Sequence, residues 1–511
     1  MAINQLKAGA LLSYASIGMS NIIGLLYTPF MLRMLGKAEF GLYALIASVV
    51  AYLTVLDFGL GNAVVRYTAR YRTQELAEEQ YALFGMFFAL YSAISLLVLG
   101  AGVYLYHHVE VLFGSALAPP EMARARTMIV LLILNLSLTF PLSIFGSIIS
   151  AYERYVFLKL VNLGRIILTP CLIIPLLLMG YKAVGMVTII TTLNILSLLI
   201  NCWFCLARLK VKIRFRGFEW GLLKEVSGYS FFIFLGVIVD KVYWSSGQFI
   251  LGIVAGTAVV AVYAIAIQLQ MYYMTLSTAL SGVFLPKVTA MVTRNTADQA
   301  LSDLFIKTGR VQFMVMAFVL SAFLLFGKSF ITFWAGTDYA DAYLIAVLLM
   351  VPLTVPLIQT LGITILQARN QHKFRSIVYI IVALSSLAIS IPLARVYGGL
   401  GCAVGTSLSL IVGNIVVMNI YYHRKIRINI PRFWKEILRM ALPAAAAAAV
   451  GYLIDLLYPS ASLYFLLTKV ALYFLVYTML MWWKGLNKYE KDLLAWPAKK
   501  LLSRVRLLTS S

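Results

Sequence analysis

The chain of 511 residues is poor in charged residues and in the residues that build catalytic and metal sites. Charged residues make up 12% of the sequence, whereas apolar residues make up 62%. This composition excludes an ordinary soluble protein and is typical of a membrane protein. No G-x-x-x-x-G-K-[ST] loop is present, so we expect the chain itself to bind no ATP and to need no cofactor.

Cysteine and histidine are also scarce, with four residues of each type. All four cysteines fall in apolar segments. Cys202 and Cys205 have the spacing of a redox or metal motif, but they lack partner ligands nearby. We therefore interpret them as small buried hydrophobes, and we predict no metal site.

Long apolar segments occupy most of the chain. A helix needs about 20 apolar residues to cross a bilayer. The sequence contains about 14 segments of this length, with short connections that leave no room for a soluble domain. We therefore predict an all-α polytopic membrane protein with transmembrane helices near 9–32, 40–65, 81–105, 124–149, 157–180, 184–206, 226–254, 258–285, 309–334, 342–367, 375–395, 400–422, 438–458 and 461–483.

Basic residues outnumber acidic residues, 42 to 19, which gives a net charge of +23. Of these basic residues, 32 lie in loops that follow an even number of spans, and Arg310 at the start of the ninth span is counted with them. The opposite loops contain 7. Such asymmetry predicts that both termini are cytoplasmic. The charge is then attracted to anionic lipids of the inner leaflet, and we expect no nucleic-acid partner.

The first six spans recur as the next six, at an offset of 216 to 220 residues. Tyr43 corresponds to Tyr263, and Pro175 corresponds to Pro392. Two parallel six-helix lobes with a site between them near the midplane are a common plan of transporters. The predicted divisions are an N-terminal lobe at 1–206, a cytoplasmic linker at 207–224, a C-terminal lobe at 225–425, and a helix pair with a basic cytoplasmic tail at 426–511.

Polar residues inside the spans are the candidate functional groups. A charge at the bilayer centre costs about 2.5–3.5 kcal/mol on insertion scales, so it normally faces a cavity or a partner. The polar groups concentrate in the first, second, seventh and eighth spans, which are matching pairs under the repeat. The candidate substrate-binding residues are Asn21, Asp57, Asn62, Arg66, Asp240, Lys241, Gln248 and Gln268.

The same groups have a structural alternative, in which they pair with one another and fix the helices in place. Asp57 with Lys241 is one such pair. Two other intramembrane cations, Arg165 and Lys469, lie close enough to an interface for their side chains to extend to the headgroups, and this is the interpretation that we favour for them.

Several motifs carry a family resemblance. They are Leu35-Gly36-x-x-x-Phe40-Gly41-Leu42-Tyr43, Leu56-Asp57-Phe58-Gly59-Leu60-Gly61-Asn62, Gln367-Ala368-Arg369-Asn370-Gln371-His372-Lys373-Phe374 and Tyr397-Gly398-Gly399-Leu400-Gly401. With them the chain resembles polysaccharide transporters of the Wzx type, in the superfamily that also contains MATE exporters and the MurJ lipid II flippase. The resemblance implies two lobes that open alternately to the two sides of the cytoplasmic membrane. It also implies a polyprenyl-pyrophosphate-linked oligosaccharide as substrate, and no enzymatic reaction.

Under this resemblance, Arg66 and Lys241 would contact the diphosphate or acidic sugars, and Asn62, Gln248 and Gln268 would bind sugar hydroxyls. Asp57 or Asp240 is a candidate to carry a coupling proton, because burial disfavours a charged carboxyl. Expected partners are the lipid-linked substrate, membrane lipids and glycan polymerase or assembly proteins. Two alternatives are a MATE-like antiporter of cationic drugs and a membrane glycan polymerase or ligase. The longest external loop, Tyr106 to Glu121, is short for such an enzyme.

Overall fold

The structure, a computed structural model, describes residues 5–114, 117–216, 220–281, 285–294, 297–369, 371, 373–458 and 462–495. Most of the predicted basic tail, from residue 496 onward, lies outside these residues. The described part is almost entirely helical, and it contains no strand.

The helices follow the apolar segments of the sequence. Their bounds are α1 Gln5–Leu53, α2 Leu60–Thr73, α3 Ala77–Phe113, α4 Pro119–Ala151, α5 Tyr155–Leu178, α6 Ala183–Trp203, α7 Trp220–Val254, α8 Thr257–Ser281, α9 Leu285–Thr293, α10 Asp298–Trp334, α11 Ala342–Ile358, α12 Thr360–Ala368, α13 Lys373–Leu410, α14 Met418–Arg424, α15 Ile430–Leu457 and α16 Leu463–Leu480. Short 3₁₀ segments cover Thr54–Asp57 and Thr337–Tyr339, and π segments cover Phe204–Arg208, Ile411–Val417 and Met481–Gly485.

The described helices account for the predicted spans. Ten of them are long and apolar enough to cross a membrane, and α11 with α12, bent by 43°, adds an eleventh. Helices α1 and α13 each contain a glycine with non-helical backbone angles, Gly36 and Gly398, so each long helix holds two spans. Dividing α1 and α13 adds two spans to these eleven, and α7, with 35 residues, adds one more. The described helices then reach the predicted number of about 14. The all-α polytopic class is confirmed.

The turn conformations repeat along the chain. Gly36 and Gly256 have φ values of 75° and 79°, and Gly180 and Gly398 have φ values of 87° and 55°. This left-handed region is open to glycine and costs other residues about 1 kcal/mol or more. The members of each pair lie 220 and 218 positions apart, which is the offset of the sequence repeat. The duplication is therefore visible in the backbone as well as in the sequence.

The chain divides into two compact units, each with most of its contacts within itself. Unit 1 contains Met1–Ile265 and Ala383–Thr406, and unit 2 contains Ala266–Val382 and Ser407–Ser511. These boundaries differ from those of the predicted lobes because the early part of the second repeat, through Ile265, makes most of its contacts with the first. The lobes at 1–206 and 225–425 stay a prediction.

In unit 1, small residues let helices approach closely. A Cβ on Gly9 would lie 2.6 Å from the Cβ of Tyr155, where α1 meets α5, and one on Gly102 would overlap Ile133 of α4. The described part of the linker packs against α3, where the backbone N–H of Arg214 donates to the carbonyl of Tyr81 at 3.1 Å. Close approach through small residues is a usual way for membrane helices to gain dispersion contacts.

In unit 2, helices α10, α15 and α16 form one apolar cluster. Tyr473 and Met440 are fully buried in it, together with Ala447 of the alanine run 444–449. Gly451 lies against the ring of Tyr473, where a Cβ would come within 2.7 Å. The last helix pair is thus packed onto α10 through small and aromatic residues.

Candidate functional site

The second span is broken at its polar motif. A 3₁₀ segment ends at Asp57, Phe58 and Gly59 have φ values of 51° and 68°, and α2 begins at Leu60. A left-handed phenylalanine is a strained conformation that costs about 1–3 kcal/mol unless its surroundings hold it. Here the ring of Phe58 packs against Phe234 of α7, with ring centroids 4.5 Å apart. The break therefore places Asp57 where two helical segments meet inside the membrane span.

The Asp57 carboxyl has a neutral hydrogen-bonding partner. Its Oδ1 accepts from the hydroxyl of Tyr91, a fully buried residue of α3, at 3.1 Å. Asp57 is not among the ion pairs of the described residues, so the alternative pair of Asp57 with Lys241 does not form in this structure. The carboxyl is half-buried.

Helix α7 brings its polar residues to the same part of unit 1. Phe234, Lys241 and Gln248 are spaced seven residues apart, so they share one face of α7. That face carries the contact with Phe58, and α7 packs against α1, α2 and the 3₁₀ segment. Lys241 and Gln248 are half-buried, whereas Asp240 is exposed. Lys241 has no carboxylate within 4.0 Å among the residues that the structure describes.

The remaining predicted residues are more dispersed. Asn62 and Arg66 are exposed on α2, four residues apart, and Asn21 is half-buried on α1. In unit 2, Gln268 donates to the hydroxyl of Tyr272 at 2.8 Å. Seven of the eight predicted residues thus belong to unit 1 and one to unit 2. Their roles in substrate binding stay a prediction.

The predicted environment of Arg165 was wrong. Arg165 lies ten residues into α5, about 15 Å from its start. Its guanidinium donates to Asn194 Oδ1 of α6 at 2.7 Å and to Asn162 Oδ1 at 3.2 Å, instead of extending to the headgroups. Asn194 donates in turn to Asn135 Oδ1 at 2.8 Å and to Thr139 Oγ1 at 2.9 Å, both in α4. The polar stripe of Asn162 and Arg165 on α5 was the sequence signal for this network.

Lys469 has a carboxylate partner that the sequence interpretation did not include. Its Nζ lies 2.8 Å from Asp455 Oδ1, and its side chain is 5% exposed. The pair joins α16 to α15. Asp455 lies in the last turn of α15 and is 36% exposed, so the ammonium reaches a carboxylate near the end of that helix, and its extension toward the headgroups stays a prediction.

Arg310 is a further buried cation, which the sequence placed with the loop residues. It lies twelve residues into α10 and is 4% exposed. Its Nε and Nη2 donate to the two carboxylate oxygens of Glu490 at 2.6 and 2.8 Å, and its Nη1 donates to Glu436 Oε2 at 3.0 Å. Nη2 also donates to the carbonyl of Gly485 at 2.8 Å. The cluster fastens α10 to α15 and to the segment that follows α16.

Comparisons with known proteins agree with this architecture. A candidate O-antigen transporter of Shigella flexneri is 20% identical over 400 residues, which cover 77% of this chain and 92% of that protein. The lipid II flippase MurJ, solved in an inward closed conformation, has a TM-score of 0.72 at 18% identity and covers 95% of this chain and 100% of its own. An inward-facing multidrug transporter of the MATE family has a TM-score of 0.62 at 15% identity, over 81% of this chain and 99% of its own. Because both identities are low, the similarity to these two structures establishes the fold alone.

The family is established by a match over more than half of the chain. The family model described as polysaccharide biosynthesis protein matches residues 6–292, which include the broken second span, the Arg165 network and all of α7. The chain belongs to the polysaccharide biosynthesis protein family.

Proposed function

We propose that this protein is a flippase that moves a polyprenyl-pyrophosphate-linked oligosaccharide from the inner to the outer leaflet of the cytoplasmic membrane. The observation that carries the proposal is the fold of a lipid flippase along 95% of a chain that belongs to a polysaccharide biosynthesis family. The likeness to a candidate O-antigen transporter supports the same substrate class. Transport of this kind needs binding groups and conformational change, and no covalent step on the protein.

The polar residues of unit 1 supply binding groups of the required chemistry. Lys241, half-buried and without a carboxylate partner among the described residues, can attract a diphosphate, and Arg66 offers a second cation on α2. Charge-assisted hydrogen bonds of this kind are about twice as strong as neutral ones. Asn62 and Gln248 have amide groups that hydrogen-bond sugar hydroxyls, and Gln268 of unit 2 offers another amide for the same role. The polyprenyl chain would stay in the bilayer throughout.

One end of unit 1 is closed by contacts that we assign to the outer side of the membrane. A Cβ on Gly41 would overlap the carbonyl of Thr257, and the Thr257 hydroxyl donates to Glu121 Oε1 at 3.1 Å. Nearby, Arg124 Nε lies 2.8 Å from Glu39 Oε1. In the proposed cycle these contacts separate when the sugar is released outside. The breaks at Gly36 and Gly398 are candidate hinges.

A proton is the proposed coupling ion. Asp57 accepts a hydrogen bond from the neutral hydroxyl of Tyr91 and forms no ion pair with a described residue, so it can gain or lose a proton without breaking such a pair. Asp240 is the alternative carrier. The proposed orientation places both termini in the cytoplasm, as the distribution of lysine and arginine predicts, and makes glycan polymerase and assembly proteins the expected partners.

The direct test is glycan export in cells that lack the gene. We expect lipid-linked oligosaccharide to accumulate on the inner leaflet and surface glycan to disappear, with both effects reversed by the wild-type gene. Lys241→Ala and Arg66→Ala should restore export poorly, whereas Arg154→Ala, which removes an exposed cation at the start of α5, should restore it fully. Unchanged surface glycan in the deletion strain would exclude the proposal.

Because the fold is similar to that of a MATE transporter, drug antiport is a second candidate function. An antiporter of cationic drugs predicts drug sensitivity of the deletion strain together with normal surface glycan. A polymerase or ligase predicts unpolymerised oligosaccharide on the outer leaflet, because flipping would still occur. The same strain therefore separates the three functions.

A further inference from the structure

The network around Arg165 lies deep in the predicted membrane region. The guanidinium is near the middle of the 24 residues of α5, and its partners come from α4, α5 and α6. All of them are in unit 1. A cation at this depth is costly, and such groups usually face a cavity or a partner.

Arg165 has no counter-ion among the residues that the structure describes. Between residues 122 and 218, which include all of α5 and α6 and all but the first residues of α4, Glu153 is the single acidic residue, and it precedes α5. No carboxylate of the described residues lies within 4.0 Å of Arg165. The described partners of the guanidinium are amide oxygens, so the described part of the network keeps its positive charge.

The amides fix the guanidinium and leave donors unused. A guanidinium has five N–H groups, and the described contacts of Arg165 are one bond to Asn194 and one to Asn162. Asn194 is itself fixed by its two bonds to α4. The remaining N–H groups of Arg165, which is half-buried, are positioned to donate to a further acceptor.

Two more polar atoms lie on the same face of α6. The hydroxyl of Thr191 and the Oδ1 of Asn201 are buried, and neither has a hydrogen-bonding partner among the described residues. Thr191, Asn194 and Asn201 are spaced three and seven residues apart, which places them along one stripe. Buried polar atoms without protein partners are rare and usually mark a site for water or a ligand.

From these observations we infer that Arg165, with Asn162 and Asn194, is an anion-binding site inside unit 1 that receives the diphosphate of the lipid-linked substrate. A planar guanidinium donates two parallel N–H bonds to two phosphate oxygens, a fixed bidentate geometry that an ammonium does not have. This inference rests on the proposed function for the source of the phosphate. It adds a binding group that lies apart from Arg66 and Lys241.

The test is the binding of three probes to the purified full-length protein in lipid discs, which are made of neutral lipid for the two soluble probes. The probes are farnesyl diphosphate, inorganic pyrophosphate and, in separate discs, phosphatidylglycerol. We expect Arg165→Met to weaken farnesyl diphosphate binding about tenfold or more, and Arg165→Lys to weaken it less. Arg154→Met, which removes an exposed cation at the start of the same helix, should bind like the wild type.

Each outcome decides the inference. Binding of farnesyl diphosphate that depends on Arg165 supports it. Wild-type affinity in Arg165→Met overturns it, as does a dependence on Arg165 that is seen only with inorganic pyrophosphate or phosphatidylglycerol. If Arg165→Met does not fold, Arg165→Lys tests the inference instead, because a lysine keeps the charge and loses the bidentate contact. Unchanged affinity for farnesyl diphosphate in Arg165→Lys also overturns the inference. If only the inference about Arg165 fails, the deletion strain still loses its surface glycan. If the proposed function fails, the deletion strain keeps its surface glycan.

Discussion

Two arginines inside apolar helices of this protein are held in opposite ways. Arg310 of unit 2 is 4% exposed and is bonded to two glutamates, one of them through both of its oxygens. Arg165 of unit 1 is half-buried and is bonded to asparagines. The first cation is neutralised within the fold and joins three segments of chain. The second keeps its charge, which is what a site for an external anion requires.

The difference has energetic consequences that can be measured. Removing one partner of a buried ion pair leaves the other charged and unpaired, which typically costs about 3–5 kcal/mol. Removing a cation that has no carboxylate partner leaves no such charge behind. The same substitution at the two arginines should therefore have very different effects on stability and on substrate binding.

The largest expected effect is that of Arg310→Met. It leaves Glu490, 2% exposed, without its guanidinium, and we expect the free energy of unfolding to fall by about 3–5 kcal/mol. Thermal or denaturant unfolding of the purified protein measures this. The control is Arg439→Met, since Arg439 is an exposed partner of Glu436 and should change stability by less than about 1 kcal/mol. Equal effects of the two variants would contradict the assigned role of the Arg310 cluster.

A smaller effect is expected from Asp455→Asn. The change removes the carboxylate that lies 2.8 Å from the Lys469 ammonium, and Lys469 is almost fully buried. Hydrogen bonds to charged groups contribute about 1.5–3 kcal/mol, and we expect a loss of stability in that range. Glycan export should be normal at equal protein levels. A variant as stable as the wild type would show that the pair contributes nothing to the packing of α15 and α16.

A third test concerns Asp57, which forms no ion pair within the described part of the chain. In Asp57→Asn the amide oxygen can still accept from Tyr91, so we expect the free energy of unfolding to change by less than about 1 kcal/mol. Export should fall sharply, because the proposed proton carrier is lost. Measuring export with and without a proton gradient checks this. Export that still responds to the gradient in the variant would exclude Asp57 as the carrier.

The smallest effect on stability is expected from Arg165→Met. The variant should unfold within about 0.5 kcal/mol of the wild type, since it removes an intramembrane charge together with two hydrogen bonds to neutral amides. Its binding of a prenyl diphosphate should nevertheless be weakened about tenfold. A loss of stability as large as that of Arg310→Met would remove the distinction between the two arginines.

Length and hydrophobicity were sufficient to predict the helices, because each bilayer-length apolar segment must satisfy its backbone hydrogen bonds internally. The repeat was also visible in the sequence, since Tyr43 and Pro175 have counterparts, Tyr263 and Pro392, at nearly the same offset. What the sequence did not show was which helix faces which. Arg165 meets Asn194, 29 residues away, and Arg310 meets Glu490, 180 residues away, so both arginines were assigned to the wrong environment.

The candidate site was also predictable only in part, because the sequence does not show which side chains meet. Asp57 and Lys241 were found because a charge inside an apolar segment is unusual wherever it points. That Asp57 bonds to Tyr91 and not to Lys241 depends on the left-handed Phe58–Gly59 break, and nothing in the sequence spacing fixes that geometry.

Flipping in a defined membrane tests the central claim most directly. The full chain is reconstituted into vesicles that carry a fluorescent polyprenyl-diphosphate-linked oligosaccharide, and the fraction reached by an external quencher is followed over time. We expect transfer between leaflets to be faster than in protein-free vesicles, and to be slowed at least tenfold by Arg165→Met but not by Arg154→Met. Transfer no faster than in protein-free vesicles would contradict the account.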